Sequence, residues 1–83
     1  MTRPDDVRTR LRDYVLALTG MPGLTDDQPL ISGHVIDSLG AVQLVAFVEK
    51  TFGIEIGDAD LSMANLDTID GLAALVDRKL VTA

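Results

Sequence analysis

The stretch Asp37-Ser38-Leu39-Gly40-Ala41-Val42-Gln43-Leu44-Val45 decides how this chain reads. From Ser38 onward the apolar residues Ala41, Leu44, Val45, Val48 and Phe52 recur with the period of one helix face. Asp37 has the short acceptor side chain that suits an N-cap, and Gly53 follows the last apolar residue as a stop. The pattern therefore predicts a helix over Ser38–Phe52, with a serine hydroxyl in its first turn. A helix N-terminus offers unpaired N–H groups and partial positive charge, so it favours an anion. Ser38 stands where a hydroxyl is well placed to carry a phosphodiester.

Upstream, Pro4 suits the first position of a helix, and Asp5 and Asp6 suit the positive end of its dipole. Val7, Leu11, Tyr14, Val15 and Leu18 form one apolar stripe, which predicts a first helix over Pro4–Thr19, ended by Gly20, Pro22 and Gly23. Residues 20–37 then form a long connection. It holds Pro22, Gly23, Pro29 and Gly33, so a full helix is not expected there. Leu24, Leu30, Ile31, Val35 and Ile36 are too apolar for a floating linker and are expected to tack the loop onto the helices. Loops of this length in compact domains are commonly functional or disordered, and this one ends at the serine.

Downstream, a short third helix is expected over residues 58–64, with Asp58 or Gly57 at its start. A last helix should begin near Asp67 or Thr68 and bury Ile69, Leu72, Ala73, Val76 and Leu80. Gly71 inside it costs about 1 kcal/mol relative to alanine, and suits a place where a neighbouring helix comes close. Three long amphipathic helices, one short helix and a long first loop predict an all-α fold, a small four-helix bundle forming a single domain over residues 1–83.

Composition narrows the function. The chain has no cysteine, which excludes disulfides and Cys-based zinc sites. No apolar run approaches the roughly 20 residues of a membrane span. Met1-Thr2-Arg3-Pro4-Asp5-Asp6 is not followed by the apolar core of a signal peptide, so a cytoplasmic protein is expected. The net charge is −6, and between Asp13 and Asp77 the only basic residue is Lys50, against eleven acids with both ends counted. Such a surface repels nucleic acid. It either steers the domain toward basic patches on partner proteins or serves as a solvated acidic face for solubility.

Asp37-Ser38-Leu39 at the head of an apolar helix resembles the phosphopantetheine attachment site of acyl carrier and peptidyl (aminoacyl) carrier proteins. The bundle matches that family over nearly the whole chain, and Phe52-Gly53-Ile54-Glu55-Ile56 resembles the phrase that commonly ends its second helix. The resemblance implies that Ser38 accepts a 4'-phosphopantetheine arm from coenzyme A through a separate phosphopantetheinyl transferase. It implies no catalytic residue and no resident metal. Asp37 and Leu39 would serve recognition by the transferase, and Gly40 would leave room beside the phosphate for a partner surface. The arm's thiol would hold an acyl or aminoacyl group as a thioester. An adenylation or acyltransferase enzyme would load it, and downstream synthase or tailoring enzymes would receive it from a monomeric carrier.

The second helix carries another apolar set at Leu39, Val42 and Ala46. In so small a domain it is hard to surround a helix fully, so Leu39, Val42, Gln43, Ala46 and Glu49 are expected to form a docking face. The alternative is that the long loop covers part of it. Phe47 belongs to neither set and is expected at the seam between loop and helix. Leu44, Val45, Val48 and Ile56 would either pack as ordinary core or line an internal pocket for an aliphatic cargo.

Fatty-acid carriers typically hold acids just after Asp-Ser-Leu, where this chain has Gly40 and Gln43, with Lys50 farther along. That favours a discrete carrier of specialised metabolism, of polyketide or nonribosomal peptide type. A housekeeping fatty-acid carrier or a D-alanyl carrier is the alternative, and an unmodified helical interaction module is the alternative of another class. Two further chemistries fail on the residues. A hydrolytic serine needs a base and a group to orient it, and His34, the one histidine, lies four residues earlier in the same loop. A triad drawn from residues 34–38 would be strained. Asp58, Asp60 and Ser62 fall at alternate positions of a calcium loop, yet Met63 stands where glycine is required and Ile69 where the bidentate glutamate belongs.

Overall fold

The computed structural model describes the backbone of residues 4–82 and the side chains of residues 6–80. Arg3 and the side chain of Asp5 lie outside the described residues. Four helices follow one another: α1 (Pro4–Thr19), α2 (Ser38–Phe52), α3 (Met63–Leu66) and α4 (Ile69–Thr82), with a 3-10 turn at Asp58–Asp60. No strand occurs among the described residues, so the fold is the expected all-helical bundle.

The core is built where the apolar stripes meet. Val7, Leu11 and Val15 of α1 pack with Leu44, Val48 and Phe52 of α2 and with Ile69, Leu72, Ala73 and Val76 of α4. Tyr14 and Leu18 are half-buried at its edge. The α1–α4 packing is the most extensive pairing of elements, and α2 lies against α1 along a narrower seam. Tyr14 and Phe47 stack across that seam, ring centroids 4.0 Å apart and planes at 16°. Phe47 therefore lines the junction of two helices, not that of helix and loop.

Two expectations about burial need correction. Leu80 is 36% exposed, whereas Leu75 is fully buried. Periodicity marks an azimuth, but burial needs a neighbour at that height. Leu75 shares a helix face with Gly71 and Arg78, one turn before and one after. That face meets α3: Arg78 Nη2 donates to Asn65 Oδ1 at 3.0 Å, and a Cβ on Gly71 would collide with the carbonyl oxygen of Ala64. In α2, likewise, the buried row is Gly40, Leu44, Val48 and Phe52. Ala41 and Val45 are only half-buried beside it.

The expected short helix over residues 58–64 is broken in two. Asp60 Oδ2 accepts the N–H of Gly57 at 3.2 Å, tightening a 3-10 turn. Asn65 Nδ2 donates to Asp60 O at 2.9 Å, taking a carbonyl that a continuing helix would have used. Lys79 Nζ stands 2.6 Å from Asp60 Oδ2 and ties the turn to α4. Helix α4 begins at Ile69, with Thr68 Oγ1 accepting the Gly71 N–H at 2.9 Å as its cap.

The loop of residues 20–37 is anchored by Leu30 and Ile36, both buried, with Leu24, Ile31 and Val35 packed beside them. Polar fasteners hold it at two places. Near its start Asp26 receives Arg8 Nη1 at 3.0 Å and the guanidinium of Arg12. Arg8 also reaches Asp70, whose backbone N–H donates to Asp26 O at 2.9 Å. Farther along, Asp67 binds residues 30–32. The Arg12 guanidinium holds the Asp26 carboxyl below the usual carboxylate range, and the Ser32 hydroxyl does the same for Asp67.

Two outcomes follow from this packing. Gly71→Ala would stabilise an ordinary exposed helix, but here overpacking against the α3 backbone should destabilise by about 1–3 kcal/mol, read from urea unfolding. Asp26 and Asp67 have folded-state pKa values depressed below their unfolded ones. Their stabilisation is thus complete above the unfolded value of about 3.9 and is lost as pH falls through the folded values. Chemical denaturation across pH should show a plateau down to about pH 4 and a decline below it, shallower in Asp67→Asn.

Candidate functional site

Ser38 is the first residue of α2 and is exposed. Its place is set by the residue before it. Asp37 is extended, with φ −92° and ψ −174°, and its Oδ1 accepts the Gly40 N–H at 2.8 Å. The backbone oxygen of Asp37 accepts the Ala41 N–H at 2.9 Å, closing the first helical turn. The N-cap read from the sequence thus exists, and it points the serine outward at the positive end of the helix. An exposed hydroxyl there can reach a large donor without moving the core.

His34 lies four residues before Ser38, exposed and in a left-handed conformation at φ 59°. Among the described residues no hydrogen bond joins it to Ser38. Gly40 is buried, and a Cβ there would press on Ile36 and on Asp37 at 3.3 Å, with Leu18 in ordinary contact at 3.6 Å. The space where a Cβ would sit is bounded by the domain's own loop and α1. A shallow depression of about 250 Å³ remains beside it, lined by Leu18, Val35, Ile36, Leu39 and Gln43 among others.

Along α2 the second apolar face stays open to solvent. Leu39 and Val42 are each 65% exposed, and Gln43 and Ala46 are exposed as well. The loop does not cover them. Glu49 is half-buried, and its Oε2 accepts the Ile56 N–H at 2.9 Å, bracing the chain after α2. Leu44 and Val48 belong to the core at 1% and 0% exposure.

One part of this surface was not foreseen. Ala41, Val42 and Val45 of α2 face Leu61 and Leu66 across an open apolar groove of about 380 Å³. Leu61 on its far side is about half exposed, as is Met63 nearby in sequence. The signal was present in the sequence, because Leu61, Met63 and Leu66 are three apolar residues in a segment too short to bury them all. Asp60 is engaged with Gly57 and Lys79, and Asp58 begins the 3-10 turn.

The sequence matches the family described as "Phosphopantetheine attachment site" over residues 9–76, a span that includes Ser38 and all of α2. No curated protein matches it. Domains of this family are non-catalytic carriers to which 4'-phosphopantetheine is covalently attached, and they work with phosphopantetheinyl transferases and synthase enzymes. Among the described residues no helix is long and apolar enough to cross a membrane. With its helical bundle and a match over most of its length, this chain belongs to the phosphopantetheine-binding carrier protein family.

Proposed function

We propose that Ser38 is the residue that carries the 4'-phosphopantetheine arm, and that the protein is a carrier of specialised metabolism. The observation that carries this reading is the exposure of Ser38 at the capped N-terminus of α2. In the transfer, the Ser38 oxygen forms a new bond to the phosphorus next to the pantetheine of coenzyme A. The pyrophosphate bond breaks, a nucleoside bisphosphate leaves, and the serine proton passes to a base on the transferase. The phosphodiester then sits at a helix N-terminus, where its charge is favoured. Asp37 and Leu39 serve recognition by the transferase, one by fixing the helix start and the other by an apolar contact.

The arm ends in a thiol that holds an acyl or aminoacyl group as a thioester. Tethering raises the effective concentration of that group at each partner's active site. Leu39, Val42, Gln43 and Ala46 form the face that docks partners, and Glu49 contributes from its braced position at the edge. Such a face suits brief encounters, since a few exposed apolar anchors bind without a large interface. The neutral residues Gly40 and Gln43 and the basic Lys50 favour biosynthesis of polyketide or nonribosomal peptide type over housekeeping fatty-acid or D-alanyl transfer. The carrier acts as a cytoplasmic monomer, loaded by an adenylation or acyltransferase enzyme.

Co-expression with a broad-specificity phosphopantetheinyl transferase tests the reading by intact mass. The wild type should gain one phosphopantetheinyl group, and Ser38→Ala should gain none. An unmodified wild type would favour a helical interaction module, and modification that survives Ser38→Ala would move the site elsewhere.

A further inference from the structure

Asp67 lies between α3 and α4, far in sequence from Ser38, yet it holds the approach to that serine. Its backbone oxygen accepts the Leu30 N–H at 2.6 Å. Its Oδ1 accepts the N–H groups of Ile31 at 2.7 Å and Ser32 at 2.8 Å. Its Oδ2 accepts the Ser32 hydroxyl at 2.6 Å. One residue thus receives four hydrogen bonds from three consecutive loop residues. Bonds to a carboxylate are stronger than those between neutral groups, and the depressed pKa of Asp67 keeps it ionised.

The segment it grips runs straight to the site. Leu30 O accepts the N–H groups of Val35 at 2.8 Å and Ile36 at 2.9 Å, and Ile31 O accepts His34 N–H at 3.1 Å. Residues 30–36 therefore close into one compact turn whose first residues are the ones Asp67 holds. The turn is tight: His34 is left-handed at φ 59°, and a Cβ on Gly33 would collide with Pro29 O. After the buried Ile36 come the cap Asp37 and then Ser38. His34 sits in a conformation uncommon for a residue other than glycine, so bonds that hold the first residues of the turn favour its closed form. Asp67 supplies them.

We propose that Asp67 is a positioning residue for attachment: it keeps the 30–37 loop in the one arrangement from which a transferase can dock on Asp37 and reach Ser38. This rests on the reading of Ser38 as the attachment residue. Asp67 touches neither the serine nor the donor, so it acts on the population of the competent loop. A binding site populated only part of the time has its apparent affinity reduced by that fraction. Once the carrier is docked, the loop is ordered and the chemical step proceeds at its normal rate. Loss of Asp67 therefore raises KM for the carrier and leaves kcat in place.

The test is steady-state transfer from coenzyme A by a broad-specificity transferase, with wild type, Asp67→Ala, Asp67→Asn, Ser32→Ala and the exposed control Asp58→Ala. Asp67→Ala should raise the carrier KM by about tenfold, on the population argument, with kcat within about twofold. Asp67→Asn keeps an oxygen for the two N–H groups and offers an N–H to Ser32, so it should recover most of the loss. Ser32→Ala should raise KM by about two- to threefold, and Asp58→Ala should match wild type. Hydrogen exchange at Ile31, Ser32, Val35 and Ile36 should quicken in Asp67→Ala while Leu11 and Leu72 stay protected. If Asp67→Ala does not fold, Ser32→Ala decides, its expected rise in KM standing against an unchanged value. An unchanged KM in variants whose loop exchanges faster would overturn the proposal, as would a fall in kcat alone. A wild type that is never modified would overturn the attachment reading and this inference with it, whereas equal modification of wild type and variants would overturn this inference only.

Discussion

Two carboxylates hold the long loop to the helices, and the presentation of Ser38 depends on that restraint. A connection of this length places many backbone polar groups near the core, and each must find a partner or keep its water. Leu30 and Ile36 supply apolar anchors, but anchors alone leave the intervening N–H groups unassigned. Asp26 joins the first part of the loop to α1 and α4 through Arg8, Arg12 and the Asp70 N–H. Asp67 joins the later part to the α3–α4 junction. Arg8 and Arg12 of α1 are thereby engaged inside the domain, where they offset Asp26 and Asp70 of the acidic stretch from Asp13 to Asp77.

Helix α2 shows how one element meets two demands. Its inner row of Gly40, Leu44, Val48 and Phe52 joins the core, and its outer row of Leu39 and Val42 stays in water. A monomeric helix normally avoids exposing such residues at adjacent turns, because isolated apolar surface gains nothing in solvent. The groove between α2 and the Leu61–Leu66 wall extends that exposure onto a second element. The polar clasp of Asp60, Asn65, Arg78 and Lys79 holds that wall in place.

The helices were legible in the sequence because each has an apolar stripe and a chemical stop. The limits of α1 and α2 agree with the expected ones, and the cap at Asp37 is the one its side chain suggested. The loop's path was legible only as an apolar tendency, since nothing local announces that Asp67 will bond residues 35 to 37 positions away. Asp67 looked like a helix-start residue, and Thr68 fills that role instead. Leu80 departs from its expected burial and Leu75 lies buried off the stripe, because a single stripe describes a helix with one neighbour, and α4 has two. Gly40 faces the core while its neighbour Leu39 faces water, because successive residues of a helix point in different directions, which a short motif does not display. The groove was missed for the opposite reason: its far wall is a segment with too few residues to show any period.

The ring stack between Tyr14 and Phe47 carries a practical consequence. The chain has one tyrosine and no tryptophan, so its ultraviolet emission comes from a single phenol seated on the seam where α2 leans on α1. Any shift of the serine-bearing helix relative to its neighbour alters the surroundings of that phenol directly. The domain thus contains its own optical gauge of how firmly its working helix is seated, with no added label and no competing chromophore of similar strength.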